Sequence, residues 1–136
     1  MSQPYSRDYN PSAPVLPVSF GPPGERPTFG PYPGLVDSGA DVSIVPKGLL
    51  ARMGVPSVEE VFMRGQWGER RVAWLFLVDL EIAGLRFGDV YVAGDDGDEI
   101  IIGRNIINKI SLFLDGPKEQ TDVLDEAVAN RIRARR

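Results

Sequence analysis

The stretch Gly34–Pro46, GLVDSGADVSIVP, sets one acid, Asp37, between two short apolar runs, with Ser38, Gly39 and Ala40 turning beside it. Short apolar runs flanking a Gly-containing turn read as strands. An acid at the end of such a strand is either a turn-former or a working group. What the chain lacks bears on that choice. It has no Cys and no His, which removes thiol nucleophiles, disulfides, Ser–His and Cys–His pairs, and nearly every zinc site built on N or S ligands. Unaided chemistry falls to carboxylates, hydroxyls or the three lysines, Lys47, Lys109 and Lys118. General acid–base work by Asp or Glu leads that short field.

The elements that must position Asp37 are mostly strands. Residues 1–12 are polar, carry Pro4 and Pro11, and are expected as a flexible lead-in. APVLPVSF, starting at Ala13, is apolar, and its Pro17 predicts an edge or irregular strand. Gly21–Gly34 is a Pro/Gly-rich connection with no room for a helix. KGLLARMG supplies one or two helical turns stopped by Gly54. Strands are expected over 58–64 and 71–82, the second with Val72, Trp74, Phe76, Val78, Leu80 and Ile82 on one face. Its other face carries Ala73, Leu75 and Leu77 before Asp79 and Glu81, so the first half is expected buried on both sides and the second half on one. AGLRFGDVYVAG adds another strand after a Gly84 turn, IIIGRNIINKI a buried strand running into a short helix, and SLFLDGPKEQTDVL a hairpin turning on Asp115-Gly116-Pro117. The tail, 126–136, has acids first and arginines last, an order that suits a helix dipole. It reads as a frayed, solvated C-terminal helix, with a basic docking arm as the alternative.

At 136 residues the chain should form one domain with a real core. A formal charge of −4 argues against a nucleic-acid-binding body, since phosphate contacts call for a basic surface. No apolar run approaches the ~20 residues of a membrane span, and the start, MSQPYSRDYN, lacks the pattern of a signal peptide. No membrane partner and a cytoplasmic location are the resulting expectations. DDGDE (Asp95–Glu99) lacks the spacing and terminal Glu of an EF-hand and reads as a solvated turn, and Glu59-Glu60 as the wet side of a strand. Neither a metal nor a cofactor is expected.

Asp37-Ser38-Gly39-Ala40 between LV and VSIV, followed in order by a mid-chain hairpin, by IIIGRN (Ile100–Asn105) and by a closing hairpin, resembles the retropepsins, the retroviral-type aspartic proteases and their bacterial relatives. The likeness runs from Ala13 to about Leu124, and the domain is bounded as 13–125. It implies an all-β, closed, barrel-like fold with one or two short helices, an obligate homodimer, and aspartic endopeptidase activity on a polypeptide substrate. Two carboxylates in contact cannot both ionise, so one proton is held between them, and a base for water and an acid for the carbonyl oxygen stand side by side. One Asp-Ser-Gly per chain means that the pair comes from two chains on a twofold axis. The alternative is a non-catalytic dimer of the same type that binds peptides or assembles.

By the same resemblance Asp37 is general base and acid. Ser38, in place of the commoner Thr, ties the two active-site loops together. Gly39 brings its backbone close to carboxylate and substrate, and Ala40 is a small floor beneath the peptide. Asp41 pairs with Arg104 as a buried structural brace, and Gly103 lets one strand pass close behind the catalytic loop. Met63–Arg70 falls at the flap, where Gly65, Gln66, Trp67 and Gly68 would contact substrate, the glycines giving a mobile tip and Trp67 excluding water. Apolar residues are expected on both sides of the scissile bond.

Overall fold

The computed structural model describes residues 1–65 and 67–135. Strands β2 (Val15–Gly21), β3 (Phe29–Val36), β4 (Ser43–Pro46), β5 (Ser57–Arg64), β6 (Arg70–Ile82), β7 (Leu85–Asp95) and β8 (Ile100–Ile102) form one sheet, ordered β2-β3-β8-β4-β7-β6-β5. Pairing of β2 back onto β6, from Val18–Ile82 to Gly21–Asp79, closes six of these strands into a barrel and leaves β5 outside it. A second sheet holds β1 (Ser2–Pro4), β10 (Gln120–Val123) and β9 (Leu112–Asp115), in that order. Helices α1 (Lys47–Met53), α2 (Arg104–Ile107) and α3 (Glu126–Arg133) are short.

The alternation of β2, β6 and β7 fills the barrel with Leu16, Val18, Val78, Leu80, Ile82 and Val92, all at or near zero exposure. Each such side chain contributes roughly 1.5–3 kcal/mol by leaving water. From outside, α1 adds Leu49, Leu50 and Met53, and α2 adds Ile106. Gly54 ends α1 at φ 72°, a left-handed conformation that glycine adopts without the Cβ penalty, as the sequence suggested.

Proline positions explain the irregular strands. Pro17 and Pro33 face each other across β2 and β3, and β3 pairs with β8 only from Gly34 onward. Their missing N–H groups therefore fall where no third strand needs them. Pro17 lies in the part of β2 that pairs on one side, and from Val18 the strand is interior, with a bulge before Phe20. The Pro/Gly-rich connection is correspondingly shorter than its composition implied, because β3 begins at Phe29.

Three expectations need correction. The lead-in is anchored: Ser2–Pro4 pairs with β10, Ser6 and Ala13 bridge, and Glu119 gathers the loop by accepting Tyr5 N–H at its carbonyl (2.8 Å) and bonding Arg7 and Ser12 through its carboxylate. The tail is helical as expected but is not frayed free of the body: α3 is capped where the Asp125 side chain accepts Val128 N–H at 2.9 Å and is seated through buried Ala129. The burial of β6 is reversed. Val72 and Trp74 are exposed, whereas Val78, Asp79 and Leu80 are buried. Residues 70–74 pair with β5 alone and stand off the barrel, while the later residues lie between two strands.

Candidate active site

The turn around Asp37 is held at the mouth of the barrel by β3 and β8, which run parallel with Leu35 opposite Ile101 and Val36 opposite Ile102. Asp37 N–H continues the ladder by donating to the Ile102 carbonyl at 3.0 Å. Side chains two residues apart share a face, which sets Asp37 on the face of Leu35. On that face a row of side chains crosses the sheet: Leu35, Ile101, Ile44, Ala93 and Leu75, each paired to the next. Except for buried Ala93, these are half-buried and form an apolar floor leading from the carboxylate.

Beyond β3 the chain turns sharply. Ala40 N–H donates to the Asp37 carbonyl at 3.2 Å, and Gly39 N–H to Asp37 Oδ1 at 2.9 Å. A Cβ at Gly39 would lie 3.1 Å from that oxygen, a tight approach that any other residue would crowd. Asp37 itself is half-buried, with Ser38 and Gly39 exposed beside it. The second segment passes directly behind. A Cβ on Gly103 would meet the Val42 carbonyl carbon and oxygen at 2.7 and 2.8 Å and the Ala40 oxygen at 3.0 Å, all backbone atoms that cannot swing aside. Arg104 N–H then donates to the Ala40 carbonyl at 2.8 Å, and Arg104 Nη1 to the Ser38 carbonyl at 2.9 Å.

Arg104 Nη2 also pairs with Asp41 Oδ1, as the resemblance implied, but the pair is not buried in the chain: the side chains are 44% and 86% exposed. An exposed pair contributes about 0–1 kcal/mol, far less than a buried one. The brace of the loop is instead a network that the sequence reading missed. Asn105 Oδ1 accepts Ser43 N–H at 3.0 Å and Ser43 Oγ–H at 2.9 Å, and Asn105 Nδ2 donates to the Tyr91 carbonyl at 2.8 Å. Ser43 Oγ in turn accepts Gly103 N–H at 2.9 Å. One amide side chain thus ties α2 to β4 and β7, and Ser43 extends the network to the Gly103 backbone at the start of α2. The available signal was a polar Ser43 in an apolar run and an Asn directly after Gly-Arg.

The other expected contacts sit at the tip of the β5–β6 hairpin. Gly65 N–H donates to the Glu69 carbonyl at 2.9 Å, Gly68 N–H to the Gly65 carbonyl at 3.0 Å, and Trp67 N–H to Glu69 Oε2 at 3.1 Å. Gly68 has φ 82°, and Trp67 is 84% exposed. Gln66 lies outside the described residues. The fold therefore brings Asp37, Ser38, Gly39, Ala40, Asp41, Gly103 and Arg104 together, and holds Gly65, Trp67 and Gly68 on a separate hairpin with no hydrogen bond to that loop among the described residues.

Two titrating groups are displaced from their ordinary values, both away from the loop. Burial, with the hydrogen bond to Glu99 adding to it, pushes Tyr9 up to about 12. Burial would raise Asp79, but hydrogen bonds from Asp89 N–H, Arg86 and Gly24 N–H outweigh it and hold the carboxyl below the usual aspartate value. Among the described residues no three His, Cys, Asp or Glu groups gather as a metal site, and no helix is long and apolar enough to cross a membrane.

The retropepsin-like aspartic protease of Rickettsia conorii superposes with a TM-score of 0.66 over 90% of this chain and 88% of that one, at 14% identity. The chain has the retropepsin fold. Two further structures share it at 21% identity. The EIAV protease complexed with the inhibitor HBY-793 has a TM-score of 0.52, covering 71% of this chain and 86% of that one. The retroviral protease-like domain of Ddi1 from Leishmania major has a TM-score of 0.50, covering 84% and 95%. No family model and no curated protein matches the sequence.

Proposed function

We propose that the protein is an aspartic endopeptidase whose active site forms between two copies of the chain, each supplying Asp37. The observation that carries this reading is the setting of Asp37. A single, half-buried carboxylate, oriented by Gly39 N–H at 2.9 Å, stands at a strand end on an apolar floor in a chain of retropepsin fold. The extended substrate lies along the floor of Leu35, Ile44 and Ile101, which favours apolar side chains beside the scissile bond. Gly65, Trp67 and Gly68 close over it, Gly39 and Ala40 contact its backbone, and Ser38 joins the two loops. The ionised carboxylate takes a proton from water as the oxygen adds to the peptide carbon, while the protonated one donates to the carbonyl oxygen. Collapse of the resulting diol breaks the C–N bond, and the amine leaves with a proton returned from the pair.

Digestion of a diverse peptide library, at acidic and neutral pH, tests the proposal. Cleavage between apolar residues is expected, with a rate that rises and falls as the pair loses its first and second protons, and with no effect of chelators. Asp37→Asn should abolish cleavage while leaving the fold intact. Cleavage that survives Asp37→Asn, or stops on chelation, overturns the reading. Peptide binding without cleavage by the wild-type chain would assign a binding module instead.

A further inference from the structure

Strand β5 is the end of the seven-stranded sheet, and its outer edge has no neighbour among the described residues. An unpaired edge this long is a template for another strand. Its bonding pattern follows from the hairpin. Gly65 N–H donates to the Glu69 carbonyl, and one register runs unbroken from Arg64–Arg70 to Glu59–Leu75. Backbone groups alternate sides along a strand. Val61 and Met63 therefore face β6, and the N–H and C=O groups of Glu60, Phe62 and Arg64 face outward.

The side chains of those same three residues share one face. Phe62 is 67% exposed, lies opposite the exposed Val72 and has the Arg70 guanidinium 5.4 Å from its ring centre. An acid precedes it by two positions and a base follows it by two, so the edge reads Glu60–Phe62–Arg64. Reversed, that sequence is its own complement.

We infer that the β5 edge pairs antiparallel with β5 of a second copy about a twofold axis at Phe62. In this register Phe62 exchanges both backbone hydrogen bonds with Phe62 of the second copy, and Glu60 lies opposite Arg64 of the second copy at both ends. Val72, Phe62 and their two counterparts make an apolar row across four strands. On the opposite face Val61 meets Met63 of the second copy. Sliding to the next symmetric register sets Glu60 against Phe62 and loses both charge pairs, so the charges select the alignment. This contact uses a different surface from the one proposed to join two Asp37 loops, and it does not depend on that reading.

Sedimentation equilibrium over a range of protein concentrations tests it. The wild-type mass should show a concentration-dependent step, doubling from monomer to dimer where chains are separate and, where chains are already joined through Asp37 and each pair carries two β5 edges, rising from dimer to tetramer and beyond. Phe62→Glu should abolish the step. Glu60→Arg alone, which opposes two bases, should also abolish it, and Glu60→Arg combined with Arg64→Glu should restore it. These side chains are exposed, and circular dichroism of each variant reports on folding. Amide exchange gives a second reading: Glu60, Phe62 and Arg64 should slow as concentration rises, while Val61 and Met63, already bonded to β6, should not. A wild-type chain without the step, single variants that keep it, or a double variant that fails to recover it would each overturn the proposal.

Discussion

Among single residues, Gly103 and Arg104 show how proximity and charge differ in weight. They are neighbours in sequence and both meet the Asp37 turn. Gly103 has no room for one more carbon, because the atoms in the way are the backbone of Val42 and Ala40. Arg104 reaches Asp41 and the Ser38 carbonyl through solvent-exposed groups. Gly103→Ala should therefore cost on the order of 1–3 kcal/mol by overpacking, and Arg104→Ala about 1 kcal/mol or less from the exposed pair. Urea unfolding of both variants at neutral pH checks the order. An Arg104→Ala loss equal to or above that of Gly103→Ala would mean that the ion pair, not the close crossing, holds the loop.

Elements were legible from the sequence to the extent that period and punctuation decide them. Gly54 stops α1, Asp115-Gly116-Pro117 turns the closing hairpin, and β6 is one long strand as read. Burial was not legible in the same way, because a period identifies a face and not its neighbour. Trp74 and Leu80 belong to the same alternating set in β6, yet one is exposed and the other buried. The difference lies in the strands alongside: Trp74 pairs with β5 alone, whereas Leu80 pairs with both β2 and β7. Asp79 is the sharpest case: a carboxylate in an alternating strand reads as wet, yet it is 4% exposed. Its partners, Gly24 N–H at 3.1 Å, Asp89 N–H at 2.9 Å and Arg86 Nη2 at 3.1 Å, come from a loop and a neighbouring strand. No spacing rule announces such a convergence. Likewise, the Asp37 turn was legible as a motif, whereas Asn105, which joins α2 to β4 and β7, was not.

The Asp79 cluster carries a pH dependence at this scale. Its carboxyl is held below the ordinary aspartate value in the folded chain. Its stabilising contribution is then fully present above the unfolded value of ~3.9 and is lost as pH falls through the folded one. Asp79→Asn should destabilise by about 2 kcal/mol at neutral pH, the scale of hydrogen bonds to a charged group. The gap to wild type should narrow only in acid below ~pH 4. Chemical denaturation of both proteins across that range checks the sign. A gap that is constant down to strong acid would remove the charge from the account.

For the whole molecule, the proposed shared site makes activity a property of pairs. An amide cannot share the proton, so a mixed dimer with Asp37→Asn in one chain should be nearly inactive. When wild-type and Asp37→Asn chains exchange freely, well above the dimer dissociation constant, activity should fall as the square of the wild-type fraction. About a quarter remains at equal mixing under random pairing. A self-sufficient chain would keep about half, by counting independent subunits. A straight line in the titration would mean that Asp37 does not meet its twin.

The pairing of β1 with β10 also sets an order of events during synthesis. Ser2 lies opposite Asp122, and Tyr5 and Ser12 are both tied to Glu119. Of the strands in this fold, the first to leave the ribosome therefore has its partner among the last. Until β10 emerges, the segment before the barrel has no sheet to join, while the barrel strands between them can already close. Contacts of such long separation are slow to form because loop closure precedes their reward. Strand β1 can therefore take its place in the sheet only once β10 has been made, after every strand of the barrel has emerged.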